Sequence, residues 1–163
     1  MKFRNLILDD LPFLNEVRNQ YAKEFLHDSR TFTLSETQVW FVQNKPDFYM
    51  ILVDDKPIGY FRLSNHSVEN RNIYIGADIH PDYTGKGYGY QAYKAFLPFL
   101  FQKYDLHKVS LEVLHTNHIA IGLYDKLGFI QEGIKRQEVY KNGVWVDSII
   151  MSILRKDLKS KNC

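Results

Sequence analysis

Residues 75–89 read Ile75-Gly76-Ala77-Asp78-Ile79-His80-Pro81-Asp82-Tyr83-Thr84-Gly85-Lys86-Gly87-Tyr88-Gly89. From residue 71 to 80 apolar and polar residues alternate. Ile73, Ile75, Ala77 and Ile79 share one face, and Tyr74, Gly76, Asp78 and His80 share the other, which is the period of a strand. Thr84 to Gly89 then form a glycine-rich loop that opens a helical stretch. A loop in that setting points several backbone N–H groups, and the positive end of a helix dipole, at one spot. The chemistry this suits is a pyrophosphate. A Walker A loop needs a hydroxyl residue directly after its lysine, and Lys86 is followed by Gly87, so an NTPase is rejected. A dinucleotide fingerprint needs Gly-x-Gly-x-x-Gly. Here the third glycine comes one residue early, and the next strand ends in Leu114-His115 without an acid for a ribose. The plain alternative is a tight strand-to-helix turn, but three alternating glycines exceed what a turn needs.

Working outward, residues 2–8 read as a strand. Asp9 or Asp10 is placed to cap a helix with Pro12 in its first turn. A second helix starts at Ser35, where Ser35 and Gln38 have capping-box spacing. Residues 48–53 and 58–63 flank the turn Asp54-Asp55-Lys56-Pro57 as a hairpin. After the glycine loop an amphipathic helix runs to about Tyr104, with Ala92, Ala95, Phe96, Phe99 and Lys103 on one side and Pro98 set to kink or split it. Residues 108–114 read as a strand, 117–127 as a helix stopped by Gly128, and 129–154 as a hairpin turning at Asn142-Gly143. The segment 71–114 has the length of a right-handed crossover between parallel strands, while hairpins on either side are antiparallel. The expected class is therefore α/β, a mixed and mostly antiparallel sheet with helices on both faces. Residues 1–158 are expected to form one domain, with 159–163 as a tail.

Composition narrows the classes. The formal charge of +2 is too small to argue for nucleic acid or an anionic membrane as partner. The only cysteine, Cys163, excludes a disulfide framework and a thiolate zinc cage. The histidines show no metal spacing, so no metal is expected, and His27, His66, His107, His115 and His118 read as surface or local hydrogen-bonding residues. Met1 leads into Lys2, Arg4 and Asn5 instead of an apolar signal segment, which makes the cytoplasm the expected compartment.

The stretch from Ile75 to Gly89 resembles motif A of the GCN5-related N-acetyltransferase (GNAT) superfamily, Gln/Arg-x-x-Gly-x-Gly/Ala. Thr84 stands where the long polar residue is usual, and Gly87 and Gly89 match. Leu111-Glu112-Val113-Leu114-His115-Thr116-Asn117, followed by Ala120, Leu123-Tyr124, Lys126 and Gly128-Phe129, is similar to motif B. The resemblance implies a fold whose fourth and fifth strands splay apart around the pantetheine arm of acetyl-CoA. It places the exposed edge at about Asp78 to His80, with amides there facing the thioester carbonyl. Cofactor-binding residues would then be Ile79, Thr84, Gly85, Lys86, Gly87, Tyr88, Gly89, Asn117 and Lys126. Asn117 and Tyr124 lie two helical turns apart on one face, about 10 Å. By the resemblance Tyr124 is the general acid for the departing thiolate. Asn117 is also a natural helix N-cap and Tyr124 a natural core residue beside Ala120. Many relatives carry a Glu where this chain has Tyr74, which leaves the general base open among Asp78, His80 and Glu112.

The acceptor site in this fold is built by the first two helices, their loop and the last hairpin. Arg18-Asn19 and residues 33–41 resemble the RimJ/RimL-like branch, in particular members that acetylate 4-amino sugars on nucleotide carriers. Arg18 and Arg30 are then expected to meet phosphate, and Trp40 and Phe41 to stack on the substrate, unless those two rings are the buried stripe of their helix. The expected function is transfer of acetyl onto a primary amine in a ternary complex, with a nucleotide-linked amino sugar as acceptor. A protein N-terminus or a polyamine is the alternative, and the mixed charge of residues 21–34 weighs against the polyamine. The reading of another class is a non-catalytic acyl-CoA sensor. A homodimer is compatible with the sequence.

Overall fold

The computed structural model describes residues 1–160. Seven strands form one sheet: β1 (Lys2–Asn5), β2 (Phe48–Val53), β3 (Lys56–Ser67), β4 (Asn72–Ile79), β5 (Lys108–Leu114), β6 (Ile130–Lys141) and β7 (Val144–Leu154), in the order β1-β2-β3-β4-β5-β7-β6. Every neighbouring pair is antiparallel except β4 and β5. The helices are α1 (Leu11–Ala22), α2 (Leu34–Asn44), α3 (Tyr88–Lys103), α4 (His118–Leu127) and α5 (Arg155–Ser160). The main core packs α3 and α4 on one face of the sheet, and a smaller cluster with Leu11, Leu14, Val17, Met50 and Tyr60 packs α1 on the other. The mixed sheet with helices on both faces is the architecture the sequence implies. The expected tail begins inside α5, and residues 161–163 lie outside the described residues.

The decisive feature is the β4–β5 pair. It is joined only at Asn72, Ile73 and Tyr74 against Lys108, Val109 and Ser110. Beyond that point each strand stays bound to its outer neighbour. β4 pairs β3 up to Ile79 opposite Gly59, and β5 pairs β7 up to Leu114 opposite Ser148. The inner edges therefore part, and a wedge opens between two strands that are each held in place from outside.

Several local expectations shift. The chain leaves β1 at Asn5. Asp10 makes no side-chain cap bond to α1; its carboxylate takes the Arg4 guanidinium at 2.6 and 2.8 Å and the Ile7 amide at 2.9 Å. The capping box of α2 lies two residues earlier than expected, with Thr33 and Glu36, because the Glu36 carboxylate accepts from the Thr33 amide at 2.7 Å, a stronger acceptor than a neutral Gln side chain. The β2–β3 turn is Asp54-Asp55 alone, both at positive φ, and Pro57 enters β3 beside a bulge. The buried stripe of α3 is Ala92, Tyr93, Phe96, Leu97, Leu100 and Phe101, while Phe99 is exposed. That rotation buries Tyr93 and two leucines in place of Ala95 and Lys103, which removes more apolar area from water. Pro98 falls on the exposed side and does not split the helix.

Candidate active site

A cavity of about 800 Å³ runs from the α1–α2 region through the sheet into the wedge. Ile75, Ala77 and Asp78 of β4 line it from one side, Glu112 and Val113 of β5 from the other, and Asn117, Ala120 and Tyr124 of α4 close its far end. The acceptor side and the acyl-donor side expected from the sequence are thus one continuous space.

The edge facing the wedge is not the run from Asp78 to His80. His80 donates its amide to the Ile58 carbonyl on β3 at 2.8 Å. Peptide groups alternate along an antiparallel pair, so those of Asp78 and His80 serve β3, while those of Ala77 and Ile79 turn to the open side. The Ile79 carbonyl there already accepts the Tyr21 hydroxyl at 2.5 Å. The His80 side chain also stays out of the cavity lining. Its Nδ1 accepts from the Asp82 amide at 3.2 Å, its Nε2 lies 3.4 Å from Glu16, and its ring stacks on Phe13. His80 ends the strand.

The glycine loop has the geometry of an anion cradle. Gly85 and Gly87 adopt φ of 72° and 80°, which a side chain would strain, and a Cβ on Gly85 would project into open space. The first amide to bond back into α3 is Gln91, to the Gly87 carbonyl, so the amides before it are those that helix geometry leaves unpaired. They fit a diphosphate of CoA. The Lys86 and Thr84 side chains do not aim at that spot. Lys86 Nζ folds back to the Asp82 carbonyl at 2.8 Å, and the Thr84 hydroxyl donates to the Pro81 carbonyl at 2.8 Å. What the loop offers an anion is its backbone. Tyr88 packs against Tyr83, Lys126 lies over the Tyr90 ring at 4.5 Å, and Gly89 faces Leu123.

On α4, Asn117 caps the helix by accepting from the Ala120 amide and also lines the cavity, so both readings of that residue hold. Tyr124 is 7% exposed and lines the cavity; its hydroxyl oxygen accepts from Tyr93 at 3.4 Å, which leaves its own hydrogen to be given elsewhere. Burial pushes its pKa up, so the hydroxyl stays protonated near neutral pH.

Two residues that sequence reasoning passed over sit beside it. Arg62 of β3 lies across Gly76, where a Cβ would come within 2.8 Å of its Nη2. Its Nε is 3.1 Å from Asp78 Oδ2 but out of line, and its Nη2 reaches Asp78 Oδ1 at 3.4 Å. Burial opposes the Arg62 charge, and Asp78 with the nearby tyrosines more than restores it. The Tyr60 hydroxyl, Arg62 Nε and Asp78 Oδ2 are buried without an aligned hydrogen bond among the described residues. Unsatisfied buried polar atoms are rare in native folds, and here they line the cavity. The signal in the sequence was an arginine inside the apolar run Ile58–Leu63 with a glycine opposite.

The residues expected to meet phosphate mostly hold the α1–α2 loop. Arg30, 75% exposed, is bound to Asp28 at 2.7 Å, and its guanidinium draws the Asp28 carboxyl down to about 2. Arg18 donates to the Arg30 carbonyl at 2.7 Å and lies over the Phe32 ring. Asn19 clamps the Phe32 backbone through both its amide groups. Buried Lys141 at the end of β6 donates to the Ala22 and Lys23 carbonyls and to Ser29 Oγ, tying the C-terminus of α1 and the loop to the last hairpin. Trp40 lines the cavity against Phe48, whereas Phe41 packs into the smaller core cluster. Among the described residues no group of three side chains is set to hold a metal, and no helix is long and apolar enough to cross a membrane.

The family model for the acetyltransferase (GNAT) family matches residues 13–129. A spermidine N(1)-acetyltransferase of Vibrio cholerae is 32% identical over 98 residues, covering 60% of this chain and 57% of that one. A probable N-acetyltransferase of Bacillus subtilis is 30% identical over 107 residues, covering 64% and 58%. The chain thus spans less than two thirds of the length of these relatives. Among solved structures, a spermidine N-acetyltransferase from Vibrio cholerae in complex with CoA and spermine has a TM-score of 0.89 at 24% identity, covering 97% of each chain. A ribosomal-protein-alanine N-acetyltransferase from Brucella melitensis has a TM-score of 0.76 at 17% identity, covering 94% of this chain and 99% of that one. At these identities the likeness speaks for the fold.

Proposed function

The chain belongs to the acetyltransferase (GNAT) family, and from that membership we propose that it moves an acetyl group from acetyl-CoA directly onto a primary amine within a ternary complex. The observation that carries this is the wedge between β4 and β5, which meets the acceptor cavity and ends at Tyr124. In this reading the Gly85–Gly89 amides hold the diphosphate, and the open edge at Ala77 and Ile79 pairs with the pantetheine arm as an added strand would. An amide on that edge faces the thioester oxygen and stabilises the charge that develops there. Tyr124 gives its proton to the departing thiolate.

For the acceptor we take a polyamine over an amino sugar on a nucleotide carrier. The two cations that would meet phosphate are spent on the loop itself, Arg30 on Asp28 and Arg18 on the Arg30 carbonyl. The lining also carries the carboxylates Asp28, Glu36, Asp78 and Glu112. Asp28, Asp78 and Glu112 are each paired with a cation, and Glu36, held at Thr33, is the acid best placed to meet an ammonium. Relatives named as spermidine N(1)-acetyltransferases support the same choice against the mixed charge of residues 21–34.

The test is thiol release from acetyl-CoA with spermidine, spermine and a nucleotide-linked amino sugar. Polyamines should give a kcat/KM at least about tenfold higher, the worth of one well-placed charge contact. The opposite order restores the amino sugar. Tight CoA binding without turnover of any amine would instead make the protein a sensor. Gly87→Val should weaken CoA binding in calorimetry while leaving the fold intact.

A further inference from the structure

A second polar cluster borders the same cavity on the β5–β7 side. His27, from the loop between α1 and α2, places Nε2 2.7 Å from Ser148 Oγ on β7 and 3.6 Å from Glu112 Oε2 on β5. Ser148 donates to Glu112 Oε2 at 3.5 Å, and Lys135 on β6 holds Glu112 Oε1 at 2.7 Å. His27 and Glu112 both line the cavity that holds Tyr124, and Ser148 is fully buried. The Ser148 hydrogen can go to His27 Nε2 or to Glu112. When it goes to Glu112, which only accepts, a Ser148 lone pair is left for the imidazole. Nε2 then carries the ring hydrogen, and Nδ1 is the free lone pair.

We propose that His27 is the general base of the transfer, taking the proton of the acceptor ammonium at Nδ1, with Ser148 and Glu112 as positioning residues that fix its tautomer. The proposal rests on the acetyl-transfer reading above and names the proton acceptor that reading leaves open.

The step balances. The ammonium gives one proton to Nδ1, and the free amine forms the C–N bond at the thioester carbonyl. The C–S bond breaks, and the thiolate takes the Tyr124 proton. The acylated nitrogen sheds its second proton to the Tyr124 oxygen, and the imidazolium returns its proton to solvent. Leaving water for the cavity disfavours the charged ammonium and eases the first transfer.

The groups facing His27 oppose one another. Glu112 and Glu138 favour the imidazolium, Arg62 and Lys135 disfavour it, and burial, the largest effect, disfavours it most. The folded pKa is therefore lowered from the ordinary 6.5. The base is active when unprotonated, so turnover rises with pH through that lowered value and is level at neutral pH.

The experiment is a pH profile of kcat for wild type, His27→Gln and His27→Ala, with spermidine and propylamine as acceptors and acetyl-CoA affinity measured in parallel. The expected result is a His27→Gln enzyme with unchanged acetyl-CoA affinity and kcat about 10²-fold lower at pH 7. Its activity should keep climbing toward the amine's own pKa of about 10.4 instead of levelling off. Added imidazole should restore part of the His27→Ala rate. Ser148→Ala should lower kcat less and shift the limb. A His27→Gln profile that keeps the wild-type limb, or a change in acceptor KM alone, overturns the assignment and leaves the acetyl-transfer reading standing. A wild-type enzyme that acetylates neither amine overturns both.

Discussion

At the scale of single residues, the site depends on burial matched to chemistry. In the proposed acid role, Tyr124 is served by its burial beside Tyr93, which keeps its proton in place. Tyr124→Phe should lower kcat by about 10²-fold or more with little change in acetyl-CoA affinity, since it removes a proton donor and leaves a ring of similar volume. Steady-state kinetics with a direct CoA titration checks this, and unchanged turnover would take Tyr124 out of the acid role. Asp10 serves stability in the same way. Burial pushes its carboxyl up, but the Arg4 guanidinium and the Ile7 amide outweigh burial and bring it below its ordinary value of 3.8. A carboxyl whose folded pKa is depressed contributes stability that is whole above the unfolded value and lost as pH falls through the folded one. Asp10→Asn should therefore lower the urea midpoint at neutral pH and flatten its decline below about pH 4. An acid slope identical to wild type would show that other carboxyls govern the decline.

At the scale of elements, most of the chain was legible because its signals are local. The Asn142-Gly143 turn, the Gly128 stop and the alternation of β4 each act within a few residues and appear where the sequence puts them. The misplacements have local competitors: Thr33 with Glu36 over Ser35 with Gln38, and the Tyr93 side of α3 over the Phe99 side. The α1–α2 loop was not legible. Its residues carry no period, and its shape comes from Asn19, Arg18 and Lys141 reaching in from elsewhere. Lys141→Met leaves the Ala22 and Lys23 carbonyls and Ser29 without their shared donor, at a cost of about 1–3 kcal/mol. Hydrogen exchange should then quicken over residues 23–33, and acceptor KM should rise while acetyl-CoA affinity holds. Unaltered exchange in that segment would mean that Lys141 does not hold the loop.

At the scale of the molecule, one sheet is pulled open by its own neighbours. β3 holds β4 from Tyr74 to Ile79 and β7 holds β5 along its full length, so the gap between them is framed from outside by backbone pairing. Because the gap and the acceptor cavity are one space, the proposed direct transfer calls for both substrates to be bound at once. Initial-rate plots with both substrates varied should intersect, the pattern of a ternary complex. Parallel lines, together with an acetylated enzyme in the mass spectrum, would show transfer through a covalent intermediate.

The strand, glycine loop and helix of residues 71–103, and the Asn117–Phe129 segment after them, were fixed by the sequence itself. Alternation, helix periodicity and the left-handed preference of glycine act between near neighbours and need no knowledge of the rest of the chain. Which polar groups meet was decided only in three dimensions. His27 reaches Ser148 across 121 residues and Lys141 reaches Ala22 across 119. Those meetings depend on the order β5-β7-β6 and on where the sheet parts, and both are set by packing of the whole core rather than by any local preference.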